Sequence, residues 1–313
     1  MSGNRIRISS MEALPNNFPA FRDSMTEDIG AIYGADAAQW FRECARRMMT
    51  ALLQQDKMLA WAAQTTANET VGLLYVALDG AHARVSLFHI LPAYRDQGIE
   101  YLLLEEALDT LKKGGIRSTL CDIAFGVKLQ ADAMPGVHTC PREVMKAPAA
   151  TIANTSTAQD ASSVPLKSIQ FGPAAACMAR AYANHPDARL YHEIGSETEA
   201  HALLVRSQQG AYGHTTPQWM RALWQGPTCT GVILAGMPFP GMVFITQVCV
   251  DPQHQRRGHG SRLIAELAQA VVANNPDATL ALGVTQASPA RRLYERLGFR
   301  RFHTVMTFLW GNH

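Results

Sequence analysis

Two stretches of this chain line up without a gap at one constant spacing. "FHILPAYRDQGIEYLLLEEAL" runs over residues 88–108 and "VCVDPQHQRRGHGSRLIAEL" over residues 248–267. Pro92 falls on Pro252, Arg95 on Gln255, Gly98 on Gly258, Leu103 on Leu263, Leu104 on Ile264 and Glu106 on Glu266, every pair 160 residues apart (252 − 92). The match crosses an apolar strand pattern, a Pro-to-Gly turn and a helical pattern. It therefore reads as two copies of one unit of about 150 residues, an ordinary domain size. Two copies are too few for a solenoid. Between them, residues 147–165 are small and polar with no periodicity, which is linker composition. The expected organisation is a domain over 1–150, a linker over 151–164 and a second domain over 165–313.

The second copy shows the element pattern more clearly. "MVFITQVCV" (242–250) is a buried-strand run rich in β-formers. After Gly258, Leu263, Leu267 and Val271 recur at four-residue spacing beside Ile264, Ala268 and Val272, one apolar face of a helix. Residues 274–278 form a turn and 279–284 a strand. A short helix over 288–297 opens on Ser288 as N-cap and Pro289 at N1 and stops at Gly298; a last strand follows at 302–310. Upstream, 174–182 reads as helix and 229–236 as a strand that pairs with 242–250 through "MPFPG". The expected fold class is α/β, a mixed sheet flanked by helices.

Composition narrows the partners. With 47% hydrophobic residues, 17% charged and a net charge of +2, the chain reads as soluble and globular, with no basic stripe for nucleic acid. No apolar run approaches the roughly 18 residues of a membrane span, and the opening residues lack a signal-peptide core. The six cysteines are scattered without a C-x-x-C pair, which fits reduced thiols and a cytoplasmic location. "YHEIGSETEAH" has the wrong spacing for a zinc helix, so no metal is expected.

The junction Gln255-Arg256-Arg257-Gly258-His259-Gly260 carries the chemistry. A helix's first turn has unpaired N–H groups and a positive dipole end, glycines let an anion approach, and two arginines add charge. A phosphate or pyrophosphate suits it. It is not a P-loop, which requires Gly-Lys-Ser/Thr, and a dinucleotide fingerprint fails because Leu263 stands where its third glycine belongs. No strand ending in Asp or Glu follows at the ribose-binding distance, which sets aside a nicotinamide-dependent oxidoreductase.

At these residues the sequence resembles the GCN5-related N-acetyltransferase (GNAT) superfamily. Its acetyl-CoA loop reads [Q/R]-x-x-G-x-[G/A], which Gln255 to Gly260 fit, and its second signature, A-x-x-L-Y-x-x-x-G-F, is met by Ala290, Leu293, Tyr294, Gly298 and Phe299. The resemblance is clear over 229–310 and fainter over 70–125, so it implies two tandem GNAT-like domains. It also implies that the backbone amides of Arg256, Arg257, Gly258, His259, Gly260 and Ser261 cradle a pyrophosphate, while Val248, Cys249 and Val250 pair with pantetheine. A backbone N–H near Cys249 or Val250 would hold the oxyanion, and Tyr294 would protonate the departing thiolate.

Two departures qualify that picture. The glutamate that many relatives carry on this strand is replaced by Thr246 and Gln247, leaving His192, Glu193 and His214 as base candidates; a frequent asparagine is Ala287. His254 and His259 fit solvated or phosphate-side roles. In the first copy Glu100 stands at the loop's last small position and Met134 at the place of Tyr294, so that copy is expected to be degenerate. The expectation is an acetyl-CoA-dependent N-acetyltransferase acting on an amine of a small molecule or peptide through its C-terminal domain. The alternative is a catalytically silent acyl-CoA-binding sensor.

Overall fold

The computed structural model describes residues 6–122, 127–130, 134, 136–155 and 163–311. Two compact units emerge: one runs to Cys140 and takes back the residues from Val305 onward, and the other is Pro141–Thr304.

In the first unit β1 (Arg7–Ser10), α1 (Phe18–Tyr33) and α2 (Ala35–Leu53) precede β2 (Met58–Gln64), β3 (Thr70–Asp79) and β4 (His82–Ile90). The four strands form an antiparallel meander. α3 (Ile99–Lys113) then returns the chain so that β5 (Ser118–Cys121) lies parallel to β4. Parallel neighbours need such a crossover, and Leu103, Leu104, Ala107 and Leu111 supply its buried face.

The second unit repeats the plan. It contains β6 (Val137–Pro148), α4 (Ala149–Ala153), β7 (Val164–Pro165), α5 (Phe171–Tyr182), α6 (Glu197–Gln208), β8 (Met220–Gln225), β9 (Thr228–Phe239) and β10 (Met242–Val250). α7 (His259–Val272), β11 (Thr279–Thr285), α8 (Ala290–Arg296) and β12 (Arg300–Gly311) complete the chain. Its sheet order is β7-β8-β9-β10-β11-β6, with only β10–β11 parallel. Leu263, Ile264, Leu267 and Val271 of α7 are fully buried against Val243, Ile245, Leu280 and Leu282. Each contributes about 1.5–3 kcal/mol by leaving water.

The units do not follow the boundaries read from the sequence. Arg142–Pro148 of β6 pairs with β11 in the second unit, while Phe308–Gly311 of β12 pairs with β5 and stacks Phe308 and Trp310 into the first unit's core. Strand pairing thus moves the boundary to 140/141 and sends the C-terminal strand back. The linker is also more structured than its composition suggests. Ala149 and Ile152 of α4 are buried in the second core, and the backbone N–H of Ser163 donates to Glu266 at 2.8 Å. Residues 156–162 lie outside the described residues.

The 160-residue offset holds down to single torsions. Asp96 and Arg256 both adopt positive φ (59° and 60°), and Gly98 and Gly258 are both left-handed N-caps (φ 79° and 80°). Ser86 is the extra residue between the Val76–Val85 and Tyr75–Leu87 pairs of β3–β4. Thr246, 160 residues on, is the extra residue between Ile245–Ala235 and Gln247–Leu234 of β9–β10. A bulge at the same place in both copies re-aims the end of the strand that leads into each turn.

Candidate functional site

The second turn is built from both ends. Asp251 accepts the Gln253 N–H at 3.0 Å on one oxygen and the Arg180 Nε–H at 2.7 Å on the other. Burial alone would raise its pKa, but Arg180 and the Gln253 amide hold the carboxyl below its usual range. Gln255 donates through Nε2 to the Val250 carbonyl at 3.1 Å, folding the loop back on the strand. Left-handed Arg256 and Gly258 then carry the chain into α7. Among the described residues no backbone or side-chain acceptor takes the N–H groups of residues 256–261. Arg256 and Arg257 are exposed beside this arc and, among the described residues, pair with no carboxylate. His259 stacks on His254 at 6.2 Å, and burial, followed by His254, Arg257 and Arg262, pushes its pKa down. The arc is therefore electropositive through backbone and arginines rather than through an imidazolium, and a pyrophosphate fits it.

Gly260 has a different task from Gly258. A Cβ on Gly260 would come 3.2 Å from Leu293 Cδ2, whereas Gly258 is needed for its left-handed φ of 80°. Gly260 lets α8 pack against the first turn of α7 and so brings the helix of Tyr294 beside the loop. The helix begins one residue later than its sequence suggested: Pro289 is the N-cap, although the Ser288 hydroxyl still accepts the Ala290 N–H at 3.3 Å.

β10 pairs with β11 only from Met242–Thr279 to Ile245–Leu282. Beyond the Thr246 bulge the two strands part, so the edge of residues 246–250 facing β11 has no strand partner among the described residues. Val248 and Val250 pack on the α7 core, while Cys249 points to α5, where the Cys177 thiol lies within hydrogen-bonding reach. The contact with Cys177, then burial, pushes Cys249 well above an ordinary thiol and keeps it neutral. Gln247 accepts from the Tyr182 hydroxyl at 2.7 Å.

Tyr294 is buried with its ring edge-on to Phe299 at 6.0 Å. Burial, then Asp187, holds its phenol well above the ordinary value, with Arg142 opposing and Cys249 adding. Asp187 is fixed by a 2.6 Å hydrogen bond from the Thr285 hydroxyl. Asp187, Arg142 and Tyr182 thus lie within electrostatic range of the phenol, with Thr285 holding Asp187 and Gln247 holding Tyr182. Among the described residues no group of three or more His, Cys, Asp or Glu side chains is arranged to hold a metal ion.

Residues 230–308 match the family model described as FR47-like protein. Among solved structures, a tandem GNAT protein from the clavulanic acid biosynthesis pathway superposes with a TM-score of 0.61, at 14% identity, over 98% of both chains. A GCN5-related N-acetyltransferase from Sphaerobacter thermophilus gives 0.66, also at 14% identity, over 98% of this chain and 95% of the other. The chain has the tandem GNAT fold. A glucosamine N-acetyltransferase region of a fungal multi-domain β-N-acetylglucosaminidase also shares it (TM-score 0.64, 11% identity, 99% of this chain and 38% of that one). No curated protein matches the sequence.

Within this tandem GNAT fold the first copy's turn is held by different partners. Arg95, at the position of Gln255, donates to the Ile90 carbonyl at 3.0 Å, as Gln255 does to Val250, but its other end is ion-paired to Asp28 at 2.6 Å. Helix α1 aligns with α5 at an offset of 153 (171 − 18), so Ser24 and His89 occupy the places of Cys177 and Cys249; they are joined at 2.9 Å. Glu100 is buried in the first turn of α3, its carboxylate at the pole an anion would need. Met134 packs on the first unit's core.

The base candidates fare differently. His192 and Glu193 lie 3.6 Å apart in a short turn before α6, and neither is among the charges acting on Tyr294. His214 forms a backbone bridge with Met237 and stands edge-on to Trp219 at 5.9 Å, a structural place. Sequence reasoning missed Asp187, Tyr182 and Arg142. Asp187 sits in a 3-10 turn with no motif, and Arg142 belongs to a strand that the repeat assigned to the other half.

Proposed function

We propose that the second unit is an acetyl-CoA-dependent N-acetyltransferase acting on an amine of a small molecule or peptide. The observation that carries this reading is the arc of N–H groups at 256–261 that have no acceptor among the described residues, opening beside a strand edge that leads to Tyr294. Pyrophosphate on the arc would lay pantetheine along Val248–Val250 and bring the thioester towards the tyrosine. A backbone N–H near Cys249 or Val250 would polarise the carbonyl. The neutral amine attacks, the carbon–sulfur bond breaks, and Tyr294, kept protonated by burial, gives its proton to sulfur and is refilled from solvent. Asp187 would hold the incoming ammonium and pass its proton to water. Gln247 cannot serve as the base, because an amide does not titrate and its oxygen is already engaged by Tyr182.

All six cysteines are free thiols, which supports the cytoplasm as the working compartment. Incubating the protein with acetyl-CoA and a panel of amines, and following free coenzyme A thiol, tests the reading. Amine-dependent release supports it. Tight acetyl-CoA binding without release from any amine would instead mark an acyl-CoA-binding sensor.

A further inference from the structure

Arg142 faces the same space as Asp187 yet does not pair with it. In the β6–β11 ladder Arg142 is directly opposite Thr285, so their side chains lie on one face, and Thr285 donates to Asp187. The guanidinium stacks over the Tyr191 ring at 4.8 Å, and its Nη2 donates to the Gly283 carbonyl at 3.0 Å. Gly283 makes room for it: a Cβ there would come 3.3 Å from Nη2. Arg142 forms no ion pair among the described residues, and its buried Nε–H has no hydrogen-bond partner. A buried donor N–H left without a partner is costly, and an anionic group of a ligand would complete it. Asp187 raises and Arg142 lowers the pKa of both Tyr294 and Tyr182, so both charges lie within electrostatic range of the two phenols.

We infer that the acceptor is a small zwitterion, an α-amino acid or close analogue, whose ammonium group is held by Asp187 and whose carboxylate is held by Arg142. The inference rests on the acetyl-transfer reading above. One negative and one positive side chain match one ammonium and one carboxylate. A polyamine or aminoglycoside would meet Arg142 as a like charge, and a phosphate dianion would meet Asp187 the same way. In the step itself the ammonium loses one proton through Asp187 to water. The nitrogen bonds to the acetyl carbon as the carbon–sulfur bond breaks, sulfur takes the Tyr294 proton, and the amide nitrogen's second proton leaves as the tyrosine is refilled. The products are an N-acetyl amino acid and coenzyme A.

The test uses the full chain, acetyl-CoA and the twenty L-amino acids. Lysine is set beside cadaverine, phenylalanine beside phenethylamine, and phosphoethanolamine is included as the phosphate analogue. Release of coenzyme A should favour at least one amino acid over its carboxylate-free partner by about 100-fold in kcat/KM. Arg142→Gln should collapse that ratio below about tenfold while acetyl-CoA affinity stays within about twofold, and Arg142→Lys should restore part of it. Equal or better turnover of the carboxylate-free amines, a preference for phosphoethanolamine, or an unchanged ratio in Arg142→Gln overturns the inference while leaving acetyl transfer intact. Where acetyl-CoA binds but nothing turns over, thermal melts with coenzyme A and each amino acid decide: no stabilisation by any of them overturns it. Failure to bind acetyl-CoA at all is the separate failure of the reading it rests on.

Discussion

Gly258 and Gly98 make a matched pair on which the loop's role can be tested. Both are left-handed N-caps, with φ of 80° and 79°. Valine at either place therefore costs the fold the same thing, the strain of a β-branched residue in a left-handed conformation, about 2 kcal/mol. At about 2–4 °C per kcal/mol for units of this size, each variant should melt about 4–8 °C lower. Ligand binding should separate them. At Gly258 the added side chain would stand beside the N–H groups a pyrophosphate would approach, so Gly258→Val should weaken acetyl-CoA at least tenfold, about 1.4 kcal/mol. Gly98→Val, with the Arg95–Asp28 pair and Glu100 beside it, should leave affinity unchanged. Melting curves and calorimetric titrations of the two proteins read both numbers. Equal acetyl-CoA affinities in the two variants, at equal loss of Tm, would refute the assignment of the loop.

Tyr294→Phe keeps the ring against Phe299 but removes the proton donor, so kcat should fall by roughly 10²-fold with acetyl-CoA affinity unchanged; full activity would reduce Tyr294 to packing. Asp251 and Glu266 both have folded pKa values below their ordinary range. Burial opposes the shift in each, but Arg180 outweighs it for Asp251, and Ser163 and Arg262 outweigh it for Glu266. A depressed carboxylate gives its full stabilisation above the unfolded pKa, near 4, and loses it as pH falls through the lower folded value. Tm should therefore hold between pH 7 and 5 and drop below about pH 4, less steeply in Glu266→Gln; identical acid limbs in the two proteins would contradict this. Glu100→Gly should give the first unit at most weak acetyl-CoA binding, because the Arg95–Asp28 pair persists, and a strong second site would mark Glu100 as a gate.

What the sequence made legible was whatever the repeat encodes locally. Gly258, the helix it opens and the strand before it are set by nearest-neighbour chemistry, and the 160-residue spacing carried these features to Gly98 and α3. The same spacing relates the Ser86 and Thr246 bulges and the side chains of Arg95 and Gln255 on their strand carbonyls, although no residue type announces them. The exchange of closing strands was hidden, because local pattern cannot show which sheet a strand such as 137–148 joins. Arg142 stayed invisible for that reason. Asp187 and Tyr182 were hidden because only tertiary packing of a 3-10 turn and the end of α5 brings them to Tyr294. In residues 149–153, small residues that read as linker are the ones compact enough to bury α4 in the second core.

On the proposed function one acyl-CoA site survives per chain, in the second unit. Titrating the full-length protein with acetyl-CoA to saturation tests it most directly. At the first turn an incoming pyrophosphate would meet the Glu100 carboxylate, and two like charges about 4 Å apart cost roughly 4 kcal/mol at an effective dielectric of 20, enough to raise a micromolar dissociation constant towards millimolar. A single site gives an endpoint of one equivalent per chain, lost in Gly258→Val and kept in Gly98→Val. An endpoint of two equivalents, or one that survives Gly258→Val, would contradict it.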